Sequence, residues 1–333
     1  MSFSMKETKK MILSLLMIAL TAAALVGCGG TTKEEPQATL SNPIKIAALK
    51  GPSGIGMVQL MENPEEYQVS IYQSPDEVIG KIITGEVDIA SVPSNLASVL
   101  FQKTEKQIVA LAPNTLGVLY LVENGKTVSK ISDLAGKTII ASGKGGTPEY
   151  ILNKLLLNAG IDPITDVTIQ WLANHTDVSS TLMSKAGNIA LLPEPFVTVV
   201  MSKNDAINLA VDLNIAWQES YSMDLPMGVL IARKDFVEER QKDLEIFADD
   251  YAKSVDFVNS NHVAAGELIS KYGLIEDKKI AEAAIVKCNI VFSIENPNNK
   301  EMLNNFYQIL FDMDPKSIGG QIPDEAFYYQ WTQ

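Results

Sequence analysis

From residue 44 onward, apolar and polar positions fall into two alternating periods. IKIAAL (44–49) is a nearly continuous apolar run, as a strand covered on both faces reads. GPSGIG (51–56) interrupts it, and residues 57–62 then read as a short helix. YQVSIY (67–72) is the next strand. Ser74 and Pro75 form a helix start, cap then first position, and Val78, Ile79, Ile82 and Ile83 share one face after it. Gly85 ends that helix and VDIASV (87–92) returns as a strand. Pro93 opens a helix with Leu96, Val99 and Leu100 on one side, before strand QIVALA (107–112). Strands alternating with short helices predict right-handed crossovers and a mostly parallel sheet.

The cycle then restarts. GVLYLVE (117–123) and KTIIASG (137–143) read as strands separated by a single turn, ISDLAG. In TPEYILNKLLLNAG, Ile151, Leu152, Leu155 and Leu156 share a helical face. DVTIQWL is a strand, residues 176–186 a helix, NIALL a strand, PFVTVVMS a helix and INLAVDL a strand. MGVLIAR (227–233) is the last strand. Beyond it, Leu244, Phe247, Tyr251, Val255 and Val258 recur at spacings of three and four, so the tail reads as helical. A strand–helix cycle run twice and a long tail predict two α/β lobes. The chain is expected to cross between them in LAPNTLG and to recross near DLPMG. Lobe 1 would then comprise residues 41–113 plus 228–333, and lobe 2 residues 114–227. Both sizes are ordinary for domains.

The first 40 residues follow neither period. Lys6, Lys9 and Lys10 precede an uncharged run from Met11 to Gly27, the layout of a secretory signal over residues 1–27. That run falls short of the roughly 20 apolar residues of a spanning helix. Leu25-Val26-Gly27-Cys28 resembles the bacterial lipobox, which implies lipidation of Cys28 after cleavage before it. Two or more acyl chains give stable anchoring. Residues 28–40, rich in Gly, Thr and Glu, cannot bury enough apolar surface to order themselves and read as a flexible linker.

Composition narrows the chemistry. The net charge of −13 argues against a nucleic-acid partner, which needs a basic footprint. With Cys28 committed to lipid, Cys288 is left alone in AAIVKCNIVF, without a disulfide framework and packed as a small hydrophobe. Two histidines and no Cys/His cluster leave no zinc site, and G-x-S-x-G is absent. No cofactor or metal is expected, and catalysis is poorly equipped.

In open α/β sheets, ligands collect at the carboxyl ends of strands, where helix starts also point. That rule selects KGPSGIGM, with Gly51, Ser53 and Gly54 in a tight turn, and SVPSNLA, with Ser94 and Asn95 at a helix start. It also selects SGKGGTPEYIL, where Gly145 and Gly146 precede Thr147 as cap and would expose a row of backbone donors. Glu194, between two prolines in ALLPEPFVT, could accept from ligand amino groups or sit as a solvated turn residue. His175 and Asp177 read first as capping residues. Tyr72, Tyr150, Trp171 and Phe196 are candidate stacking surfaces. The only arginines, Arg233 and Arg240, lie beyond these segments, which favours a ligand held by backbone N–H, hydroxyls and amides.

The lipobox, the repeated α/β pattern, LLPEPFVTVV and LPMGVLIARKDFVEE together resemble the substrate-binding lipoproteins of ABC importers. Within these the chain is most similar to the nitrate/sulfonate/taurine and thiamine-pyrimidine-precursor group. The resemblance implies a type II periplasmic-binding-protein-like fold, two α/β lobes joined by two hinge crossings, with a ligand in the cleft. It implies pocket segments around Ser53, Ser94, Thr147, Asn174 and Glu194. Where the chain crosses between lobes, hinges are expected at Asn114–Thr115 and Pro226–Met227, with Asn114 and Thr115 also expected to contact the ligand. Leu192-Pro193-Glu194-Pro195 departs from the aromatic–Asp–Pro turn frequent in the sulfonate branch. The implied protein is a monomer, lipid-anchored on the extracytoplasmic face of the cell membrane. It would capture a small oxyanion or a pyrimidine-type heterocycle for an ABC permease and its ATPase. The alternatives are an enzyme on the same scaffold, of the thiamine- or menaquinone-pathway kind, and a ligand-sensing subunit of a receptor.

Overall fold

The computed structural model of the protein describes residues 39–331. The expected signal, Cys28 and the linker up to residue 38 lie outside the described residues. From Leu40 on, the chain forms one compact unit.

β1 (Ile44–Leu49) is followed by α1 (Pro52–Ile55), β2 (Tyr67–Tyr72), α2 (Pro75–Ile83), β3 (Ile89–Pro93), α3 (Ser94–Lys103) and β4 (Ile108–Thr115). α1 corrects the reading of GPSGIG as a break. Pro52 sits in the first turn, where its missing N–H costs nothing, and Gly51, at φ 147°, supplies a backbone angle that other residues avoid. α2 starts as expected. Glu77 Oε2 accepts from the Ser74 N–H at 3.1 Å, and the serine closes a capping box.

The second cycle contains β5 (Leu119–Asn124), β6 (Thr138–Ser142), α4 (Thr147–Asn158), β7 (Thr168–Leu172), α5 (His175–Ser184), β8 (Ile189–Pro193), α6 (Phe196–Lys203), β9 (Ile207–Asp212) and α7 (Leu213–Tyr221). β10 (Gly228–Arg233) then returns to the first sheet. α7 was not foreseen. Its cap, Asp212, is also the last residue of β9 and accepts from the N–H groups of Asn214 and Ile215. No glycine or proline marks the change.

The strand orders are β2-β1-β3-β10-β4 and β7-β6-β8-β5-β9. Each sheet has a parallel trio, then a strand antiparallel to both its neighbours: β10 in the first sheet and β5 in the second. The sheets are therefore mixed, not mostly parallel. Parallel neighbours require a crossover helix, whereas β5 and β10 enter from the other sheet and are free to run the opposite way.

The tail is helical: α8 (Lys234–Glu239), α9 (Gln241–Ser260), α10 (His262–Lys271), α11 (Lys278–Ile285) and α12 (Asn298–Met313). The periodic stripe of α9, Leu244 to Val258, is buried against Ile44, Ile46, Ala48, Leu230 and Ala232 on one face of the first sheet. α12 turns the other way. Its Phe306 meets Trp217 of α7 edge-on at 5.9 Å. One apolar cluster thereby runs from Ala47 and Val92 of the first sheet to Leu121 and Leu191 of the second. A third covers the opposite face of the second sheet around Val122, Ala190 and Val197. Cys288 is buried and outside any disulfide, and burial raises its thiol pKa. Among the described residues, no helix is long and apolar enough to cross a membrane.

Candidate functional site

The ends of β1, β3, β4 and β8 and the starts of β5, β10, α4, α5 and α6 line one cavity of about 130 Å³. Leu49, Val92, Val118, Leu119, Phe196 and Met227 supply apolar walls; Lys50, His175 and Glu194 are the titratable groups. A larger cavity of about 650 Å³ lies between residues 222–224, α9, α12 and the segment 290–296. Its lining takes in Pro113 and Leu116 at the end of β4 and the start of α12 but is otherwise drawn from the helical tail and residues 222–224. The smaller cavity gathers the carboxyl ends of four strands from both sheets together with several helix starts, the place where open α/β sheets collect ligands, and is the candidate site.

Five residues expected from sequence line it: Gly51, Ser53, Thr115, Thr147 and Glu194. Seven do not. Gly54 is packed inside, where an added Cβ would meet the Leu49 carbonyl oxygen at 2.8 Å. Asn95 is fully buried and accepts from Thr147 Oγ1 at 2.9 Å, while its Nδ2 donates to the carbonyls of Gly145 and Ser317. Ser94 is fully buried, its hydroxyl without a partner among the described residues and its carbonyl taking a bond from the Tyr307 hydroxyl. Gly145 N–H donates to Glu149 and Gly146 N–H to the Gly143 carbonyl, so the expected row of free donors is spent inside its own turn. Gly146, not Thr147, is the cap, which frees the threonine hydroxyl for Asn95. Asn174 caps α5 by accepting from the Asp177 N–H at 2.9 Å. Asn114 lies beneath Gly228; its Nδ2 donates to Ser91 Oγ at 2.8 Å, and its Oδ1 has no partner among the described residues. Thr115 does line the cavity, and its buried Oγ1 is likewise without a partner among the described residues.

Glu194 is fully buried, not solvated. Its carboxylate accepts from the N–H and the hydroxyl of Thr198, both at 3.0 Å, which secures the start of α6. Burial raises its pKa, and the two bonds from Thr198 only partly offset that.

His175 was missed. With Asn174 as cap, it becomes the first residue of α5 and turns its ring to the cavity. Its Nδ1 is 2.7 Å from Ser142 Oγ, and its ring lies 5.1 Å from that of Phe196. Burial lowers its pKa to about 4. A histidine directly after an asparagine cap was the available signal. Of the four proposed stacking residues, Phe196 lines the cavity; Tyr72, Tyr150 and Trp171 do not.

Cationic groups are sparse here. Arg233 and Arg240 both reach Asp88, at 3.6 and 3.8 Å, and pair further with Asp235 and Asp243. Neither lines the cavity, which leaves Lys50 as the nearest cation.

The family model described as "ABC transporter, phosphonate, periplasmic substrate-binding protein" matches residues 61–273. Among solved structures, an ABC transporter protein from Parabacteroides distasonis aligns with a TM-score of 0.74 at 22% identity, over 87% of this chain and all of that one. The periplasmic aliphatic sulphonate binding protein SsuA from Escherichia coli aligns at 0.68 and 17% identity, over 88% of this chain and 93% of its own. The periplasmic nitrate-binding protein NrtA from Synechocystis PCC 6803 gives 0.57 and 13%, over 75% and 70%. At these identities the likeness establishes the fold, the type II periplasmic-binding-protein-like arrangement of two mixed sheets with flanking helices.

Proposed function

We propose that this chain, which belongs to the phosphonate-type periplasmic substrate-binding proteins of ABC transporters, captures a small uncharged ring-bearing solute between two hinged lobes. The observation that carries this reading is the composition of the cavity: both sheets wall it, apolar side chains dominate, and the polar groups include a buried acceptor, Glu194. A cavity of roughly 150 Å³ holds one benzene-sized ring. An oxyanion would need several converging donors, yet both arginines are tied to Asp88 and the Gly145 and Gly146 N–H groups are spent, so Lys50 is the one cationic side chain in the lining. Gly51, Ser53, Thr115, Thr147 and Glu194 would touch the ligand, with Asn114 supporting them from below.

The lobes are residues 41–113 plus 228–333 and residues 114–227, hinged at Asn114–Thr115 and Pro226–Met227. A ligand favours closure only through contacts it makes to both lobes at once. Micromolar affinity requires about 8 kcal/mol net, within reach of a few hydrogen bonds plus apolar burial. The closed form docks on a permease that reads closure as occupancy, and lipid on Cys28 keeps the monomer at the outer face of the membrane. Transport is favoured over turnover by the Ser142–His175 pair: His175 lines the cavity, whereas Ser142, a buried residue bonded to its ring, is not among the lining residues and is poorly placed as a nucleophile.

Calorimetric titration with cytosine, uracil, nitrate, bicarbonate, ethanesulfonate and methylphosphonate tests the ligand class. Binding of an uncharged ring and none of the anions is the expected result. Binding of an anion alone overturns the uncharged class, and turnover of any compound overturns the transport role. Cys28→Ser should move the protein from the membrane fraction to the soluble one, and unchanged membrane association refutes the anchor.

A further inference from the structure

We propose that His175 is the group that reads the ligand, its Nε2–H donating to an acceptor atom on the captured ring, and that Ser142 fixes the imidazole in that tautomer. The inference rests on the cleft reading above and deepens it.

The proton positions follow from one bond. Ser142 is 3% exposed, and His175 Nδ1, at 2.7 Å, is its hydroxyl's one hydrogen-bond partner among the described residues. If Nδ1 carried the proton and donated to Ser142 Oγ, the serine proton would be left buried without an acceptor, a costly arrangement. If Ser142 donates instead, both atoms are satisfied and the ring proton moves to Nε2.

Two further features keep the ring neutral. His175 opens the ten-residue helix α5, whose positive end disfavours an imidazolium. Burial acts in the same direction. Nε2–H is therefore a fixed donor without a protein acceptor among the described residues, on a ring that lines the cavity. Phe196 holds the plane of the ring from one side, at 5.1 Å between centroids. Of the cavity's two other titratable groups, Lys50 is a donor and Glu194 an acceptor. A ring offering an acceptor to His175 and a donor to Glu194 matches both. Ser142 is a positioning residue, acting through the imidazole rather than on the ligand.

The test uses the full chain labelled with ¹⁵N-histidine. It contains only two histidines, so a His262→Gln variant assigns the spectrum. At pH 7 the His175 nitrogens should show the Nε2–H tautomer. Ser142→Ala should leave the ring in place but mix the tautomers. Cytosine or uracil should shift the His175 Nε2 resonance and leave that of His262 unmoved. His175→Phe should weaken their binding about tenfold, the value of one lost hydrogen bond, and His175→Gln, which retains an N–H, should recover part of it. An Nδ1–H tautomer, an imidazolium at pH 7, or a bound pyrimidine that leaves Nε2 unmoved overturns the inference. So does a failure of both pyrimidines to bind while an anion does, an outcome that leaves the cleft itself standing. Failure of every compound in the titration series removes the cleft reading, and the inference with it.

Discussion

Thr147 Oγ1 donates to Asn95 Oδ1 at 2.9 Å, and both residues are fully buried. The bond joins the start of α4, which follows the second sheet's β6, to the start of α3, which follows the first sheet's β3. Two residues that looked like ligand contacts hold one another between the two sheets, Thr147 while also lining the cavity. Thr147→Val keeps the shape and deletes the donor, leaving Asn95 Oδ1 buried without a partner. The expected loss is about 1–3 kcal/mol in urea unfolding, with a larger radius of gyration by solution scattering. An unchanged midpoint would mean that water already reaches Asn95 and that the two helix starts stand apart in solution.

Stability should depend on pH through His175. Its folded pKa of about 4 lies below the ordinary 6.5, so between those values the unfolded chain binds more protons and stability rises with pH. The contribution is complete above about pH 6.5 and lost as pH falls toward 4, amounting to about 3 kcal/mol at most. Glu194 acts oppositely. Its folded pKa is raised above 4.5 by burial, so its contribution is present below 4.5 and lost as pH rises through the raised value. Urea unfolding between pH 4 and 7, wild type against His175→Gln, isolates the first effect. The difference should grow with pH across that window; a constant difference would mean that the ring is solvated and titrates normally.

At Glu194 the charge and the capping role can be separated. Glu194→Gln keeps an acceptor for the Thr198 N–H and removes a buried charge, so stability at pH 7 should stay within about 1 kcal/mol of wild type or rise. Glu194→Ala removes the acceptor from the start of α6 and should cost about 1–2 kcal/mol, as a lost helix cap does. Thermal unfolding of the pair checks this. Equal losses in both would make the negative charge, not the hydrogen bonds, the stabilising feature.

The strand–helix cycles were legible because they are local. Apolar spacing marks each strand, and Ser74, Pro75 and Glu77 carry the α2 start within four residues. α7 was hidden because its cap, Asp212, doubles as a strand end. The site was less legible for a related reason. Asn95 depends on Thr147, Gly145 and Ser317, which lie 52, 50 and 222 positions away, so nothing near it in sequence distinguishes a ligand contact from an interior bond. His175 was obscured by its neighbour: an Asn-His pair at a helix start is read as two caps, yet one residue fills that role and the other is released to face the cavity. Strand direction also escaped, because β5 and β10 owe theirs to where the chain changes sheet and not to their own residues.

Gly228 is where packing and site meet. A Cβ there would stand 2.7 Å from Asn114 Oδ1 and 3.2 Å from Thr115 Cβ, both side chains buried. Neither neighbour can retreat easily, since Asn114 is held by Ser91 and Thr115 pairs with Gly228 across β4 and β10. Gly228→Ala should therefore cost about 1–3 kcal/mol, in the range of overpacking a filled interior. Because Gly228 and Thr115 both line the cavity, the same methyl should also lower affinity for a bound ring. Ser91→Ala supplies the contrast. It removes the nearer of the two acceptors of Asn114 Nδ2, leaving the Tyr251 hydroxyl at 3.4 Å, and so gives Asn114 room to yield, and in the double variant part of the alanine's cost should be recovered. Strict additivity of the two substitutions would show that Gly228 and Asn114 are not in contact in solution, and that the floor of the cavity is built otherwise.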